Sequence, residues 1–103
     1  MKANSNCEGR YAIDVYLDGK QLDDCIQADE EAAEVIVCYR DVKGKLVPEN
    51  FAERGSLICD GVQVLRLLGK VEIKVTPCEG VTEEELRKLI EDSYVPFDVE
   101  VIR

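Results

Sequence analysis

Residues 11–17 alternate strictly. Tyr11, Ile13, Val15 and Leu17 fall on one side, and Ala12, Asp14 and Tyr16 on the other. A period of two is the signature of a half-buried strand. The run ends in Asp18-Gly19, a dipeptide suited to a two-residue hairpin turn because both positions accept positive φ. Such a turn sends the chain back antiparallel, and Leu22, Asp24, Ile26 and Ala28 then share one face of the returning strand, with Cys25 facing the other way. A chain that opens this way is committed to a sheet.

The rest of the chain extends that sheet. Asp29-Glu30-Glu31-Ala32 reads as a turn or a single helical turn, and Val35, Ile36, Val37 and Tyr39 predict the third strand of a meander. Lys43-Gly44 turns into Lys45-Leu46-Val47, which Pro48 ends or confines to an edge. Residues 49–55 suit a loop or short helix, and 56–59 a short strand closed by Asp60-Gly61. Residues 62–68 fit a strand or one to two turns of helix, because periodicity over so short a run decides neither. Val71, Ile73 and Val75 alternate with Glu72 and Lys74.

Thr82-Glu83-Glu84-Glu85 is a capping box, with acids placed at the positive end of a helix dipole. Leu86, Leu89 and Ile90 supply the apolar stripe, so a helix is predicted over 83–92. Pro96 stops it, and Phe97, Val99 and Val101 alternate as a last strand. The expected fold is therefore α+β: a mostly antiparallel β-meander of about five to seven strands, with one C-terminal helix followed by a last strand. Residues 1–9 read as a flexible N-terminus and 10–103 as a single domain.

Charge narrows the range of partners. The 103 residues carry 22 acids and 13 bases, a net charge of −9. Residues 1–34 hold a net −6, residues 35–78 +2 and residues 79–103 −5. An acidic surface repels phosphate backbones and anionic lipid, which argues against direct nucleic-acid or membrane binding. Nor does any run approach the ~20 apolar residues of a membrane helix.

The five cysteines, Cys7, Cys25, Cys38, Cys59 and Cys78, contain no C-x-x-C. Without a signal-like apolar segment they suggest reduced thiols in a cytoplasmic protein. Cys25 and Cys38 fall within strand runs as small core hydrophobes. Cys59 and Cys78 lie at strand ends, and Cys7 is expected at the surface.

Chemistry is thin. The chain has no histidine, the commonest general base and transition-metal ligand near neutral pH. Its glycines fall one per turn and form no phosphate-cradling motif. The acids Asp23, Asp24, Asp29, Glu30, Glu31 and Glu34 lack the spacing and glycine of a calcium loop. No catalytic residue, cofactor or metal ion is expected. With Tyr16, Glu83 and Glu84, those acids instead form the candidate interaction surface. Tyr16 reads equally as an interface anchor or as the cover of a second, minor core.

The run Tyr11-x-Ile13-x-Val15-x-Leu17-Asp18-Gly19, then Ile26-x-Ala28-Asp29-Glu30-Glu31, then Tyr39-Arg40-Asp41 and Lys43-Gly44-Lys45, resembles small uncharacterised β-rich proteins encoded by tailed bacteriophages and prophages. Leu68-Gly69-Lys70-Val71-Glu72-Ile73 resembles their closing strand, so the similarity covers residues 11–47 and 68–75. It implies a mobile-element context in a bacterial host cytoplasm and brings no catalytic residue with it.

The expectation is a non-enzymatic protein-interaction module with a protein partner. One alternative is an acidic nucleic-acid mimic that inhibits a host DNA- or RNA-binding enzyme. Another is a small virion structural component, associating with copies of itself through an edge strand at 45–47 or 97–102.

Overall fold

The computed structural model describes residues 1–4, 11–77, 80–96 and 98–103. The fold is α+β, with nine antiparallel strands in two sheets and one α-helix among the described residues. The strands are β1 (Lys2–Asn4), β2 (Tyr11–Leu17), β3 (Lys20–Gln21), β4 (Cys25–Asp29), β5 (Glu34–Cys38), β6 (Leu57–Cys59), β7 (Val62–Leu68), β8 (Val71–Pro77) and β9 (Glu100–Val101), and the helix α1 spans Glu83–Asp92. The larger sheet has the order β1-β4-β5-β7-β6-β9, the smaller β3-β2-β8.

Local signals survive where they were strong. Asp18-Gly19 and Asp60-Gly61 both turn with positive φ at each residue, as two-residue hairpin turns require. Thr82 caps α1, its hydroxyl accepting from the Glu85 N–H at 3.2 Å. Residues 62–68, undecided between helix and strand, form β7. It pairs on both sides, with β5 and β6, and that ladder fixes an extended backbone. Residues 45–47 form no strand and contribute a single bridge, Arg40 to Leu46. Glu49–Phe51 is one 3₁₀ turn.

The opening hairpin is divided between the sheets. β2 and β3 pair only at Tyr16–Gln21 and Leu17–Lys20. The chain then bends at Asp23-Asp24, where Asp24 takes φ +58°, and β4 enters the larger sheet between β1 and β5. In place of β4, β2 takes β8 as its long partner, with seven residue pairs from Tyr11–Pro77 to Leu17–Val71.

The N-terminal stretch needs a correction. Lys2–Asn4, expected to be flexible, pairs with Gln27–Asp29 and buries Ala3 against Ala28. Two small side chains opposite each other leave room for the elements packed above them. Residues 5–9 of that stretch, together with Cys7, Cys78 and Phe97, lie outside the described residues.

The main core lies between the sheets. Val15, Val71, Ile73 and Val75 of the smaller sheet meet Ala3, Ala28, Val35 and Val37 of the larger, with Leu86 and Ile90 of α1. A second cluster, Ile36, Cys59 and Val64, lies apart from it, with Ile26, Leu57 and Val99 packed alongside. Val35 and Val37 belong to one cluster and Ile36 to the other, as strand alternation demands. A bulge between Cys25 and Gln27 lets Ile26 join the second cluster while Cys25 packs with the first.

Three turns meet at Gly69. Its N–H donates to the Ala33 carbonyl at 3.0 Å, and the Asp18 carboxylate lies over it, accepting from the Lys70 N–H at 2.9 Å. A Cβ on Gly69 would stand 2.7 Å from Asp18 Oδ2 and 2.9 Å from Leu17 Cδ1. Gly69→Ala is expected to cost about 1–2 kcal/mol by overpacking. The cost should shrink in an Asp18→Gly background, which keeps the turn and removes the carboxylate. Ala33, at φ +55°, should gain up to about 1 kcal/mol on replacement by Gly. Urea unfolding of the single and double variants reads all three effects.

Candidate functional site: a cleft at an unpaired strand edge

The division of the hairpin leaves one side of β2 half covered. Leu22 N–H donates to the Val15 carbonyl at 2.9 Å, which places the Val15 backbone on the β3 side. By strand alternation Ile13 and Tyr11 present their N–H and C=O groups to that same side. Among the described residues no strand pairs with Tyr11–Asp14 there. The Asp23-Asp24 bend carries the chain away, and Cys38 N–H donates to the Asp24 carbonyl at 3.0 Å to begin the β4–β5 ladder.

A cleft of about 410 Å³ occupies the space so left. Ile13, Val15, Leu22, Ala3 and Ala28 give it an apolar lining. Asp14, Asp23, Asp24, Asn4, Gln21 and Gln27 add polar groups. Asp14 Oδ1 accepts from Gln21 Nε2 at 3.1 Å. Asp24 binds Arg40 through two bonds, Nε to Oδ2 and Nη2 to Oδ1 at 3.1 Å, and Arg40 Nη1 also donates to the Gly44 carbonyl at 2.9 Å. The Arg40 guanidinium, bonded to Asp24, holds that carboxyl below its ordinary value.

The thiols beside this cleft are held protonated. Cys25 lines it, its Sγ donating to the Gln27 carbonyl at 3.4 Å, and burial pushes the thiol up to about 11. Burial also raises Cys38 and Cys59. A thiol in that state is a poor nucleophile at neutral pH. Among the described residues no group of three His, Cys, Asp or Glu side chains is placed to hold a metal ion, and no helix is long and apolar enough to cross a membrane.

The nine residues singled out from the sequence are spread over the molecule. Asp23 and Asp24 border the cleft. Asp29, Glu30, Glu31 and Glu34 lie at the opposite end of β4. Asp29 Oδ1 accepts from the backbone N–H groups of Glu31 and Ala32, at 3.0 and 3.1 Å, and Oδ2 lies 3.8 Å from Lys2 Nζ. Glu30 Oε2 accepts from the Ile73 N–H at 3.1 Å, while Oε1 lies 3.2 Å from the Met1 amino group. Glu34 pairs with Arg66 at 3.1 Å.

The helix reaches this acidic turn through its far end. Glu91 stands 3.8 Å from the same Met1 amino group and borders a recess of about 230 Å³ with Glu31. Glu83 pairs with Arg87 at 3.0 Å, and Glu84 is exposed. They lie about 12 and about 10 Å back along the axis from Glu91. Asp23 and Asp24 thus lie apart from the other acids, whereas the helix start is joined to Glu30 through Arg87, which pairs with Glu83 and donates to the Ile73 carbonyl. Tyr16, half-buried, lies opposite Glu72 and Gln21, with Lys74 Nζ 4.5 Å from its ring centroid.

Sequence reading missed Ile13, Leu22 and Gln21 as cleft residues. One signal was present. Lys20-Gln21-Leu22-Asp23-Asp24 holds no β-branched residue, so the returning strand had little to sustain it before Ile26. Comparisons with protein-family models, curated proteins and solved structures found no match.

The raised Cys25 thiol gives a stability test. The folded state holds this proton more tightly than an ordinary thiol does, so the contribution is whole below pH 9.0 and is lost as pH rises toward 11. Urea midpoints should fall between about pH 9 and 11, and the fall should be shallower in Cys25→Val.

Proposed function

We propose that this protein is a protein-interaction module that receives an extended segment of its partner at the Tyr11–Asp14 edge of β2. One observation carries this reading. A strand paired along its whole length with β8 has, among the described residues, half of its other edge without a partner strand, and that edge borders a part-apolar cleft. Extended backbone has donors and acceptors that need partners, and an added strand supplies them with regular geometry. Clefts of this volume with an apolar lining and a few placed polar groups are usual binding sites.

The acids favour this reading over a nucleic-acid mimic. Asp24, Asp29, Glu34 and Glu83 are tied to Arg40, Lys2, Arg66 and Arg87. A mimic needs a continuous row of uncompensated negative charge, and these pairings interrupt it.

A displayed random-peptide library, selected on the folded protein, tests the proposal. Selected peptides are expected to slow hydrogen exchange at the Ile13 amide and to shift resonances of Ile13, Val15, Leu22 and Cys25. Methylating the peptide nitrogen that faces the Ile13 carbonyl should reduce binding at least tenfold. Binders that leave the Ile13 amide unchanged, or a library that yields none, would overturn it.

A further inference from the structure

The cleft also specifies what kind of segment it takes. We infer that the partner segment alternates apolar and basic residues, with Lys or Arg placed beside Asp14 and Asp23; this rests on strand addition at β2, argued above.

In an antiparallel ladder, directly opposed residues point to the same side of the sheet, with Cβ atoms about 4.5–5.5 Å apart. Ile13 packs against the main core. A partner residue opposite Ile13 therefore points inward, toward Leu22 and Ala28, which also line the cleft. An apolar side chain suits that position, because Ile13, Leu22 and Ala28 around it are apolar. The partner's next residue, opposite Asp14, points to the other side of the sheet.

Asp14 lies on that outer side, and Asp23 borders the same cleft. Asp14 and Asp23 both line the cleft, and among the described residues neither forms an ion pair. Among the described residues Asp14 is bonded only to the neutral Gln21 amide. Lys74, its cross-strand neighbour on β8, stands over the Tyr16 ring. Arg40, the base near Asp23, is committed to Asp24 and the Gly44 carbonyl. Two carboxylates beside an open strand edge favour an opposed cation and disfavour an opposed acid. The open edge of four residues spans about 13 Å, so the segment recognised is short.

Three short peptides of one design, alternating valine with lysine, glutamine or glutamate, separate the two proposals. Titrated into isotope-labelled protein, the lysine peptide is expected to bind two- to fivefold more tightly than the glutamine peptide, and the glutamate peptide more weakly still. The lysine preference should fall as salt rises. Asp14→Asn with Asp23→Asn, which keeps the acceptor to Gln21, should bring the three affinities together without loss of thermal stability. Equal binding of the lysine and glutamate peptides to the unaltered protein, with Ile13 still perturbed, would overturn the charge inference and leave strand addition standing. Perturbation that misses Ile13 with every peptide, or self-association of the protein as the only response, would overturn both.

Discussion

Two sheets share one core, yet strand pairing does not join them. Everything else follows from how that core is kept closed. Val15, Val71, Ile73 and Val75 press against a larger sheet whose facing residues include Ala3 and Ala28. The small alanines let the layers approach, and Leu86 and Ile90 close one flank. Burial of these side chains is the main stabilising term available to such a fold. The sheets are tied at their margin by Glu30, which accepts from the Ile73 N–H, and α1 is tied to the smaller sheet by Arg87, whose Nη2 donates to the Ile73 carbonyl at 3.2 Å.

These ties explain why the acids are where they are. Glu30 is not a surface charge awaiting a ligand. It satisfies a strand-edge donor and sits against the Met1 amino group. Asp29 holds the turn, and Asp18 locks the Gly69-Lys70 corner, where the chain passes from β7 in one sheet to β8 in the other within two residues. A net charge of −9 therefore includes carboxylates that serve the fold. Asp14 and Asp23 differ because their neighbours leave them without a cationic partner among the described residues.

What the sequence made legible was local. Thr82 and the acids after it announce a helix within one turn, so its bounds at Glu83–Asp92 could be read directly. The Asp-Gly turns likewise carry their own geometry. The open edge of β2 was not legible, because it depends on a partner about sixty residues away and on a bend at Asp24 that needs positive φ. The pairing of Lys2–Asn4 with β4 was hidden for a related reason: three residues show no periodicity, and only their tertiary partner gives them form. The acids of the candidate surface were visible in sequence, but their division between structural ion pairs and the cleft needed the fold.

The smaller sheet has two edges of opposite character. On the outer side of β8, the Ile73 N–H and C=O are both occupied by side chains. On the β3 side of β2, the Tyr11–Asp14 backbone has no strand beside it among the described residues. Growth of a sheet by repeated addition needs two open edges on each unit, each offering both N–H and C=O groups. Here one of the two is occupied at its centre by side chains. A strand added at β2, as proposed, would complete the smaller sheet and meet that occupied edge on its far side.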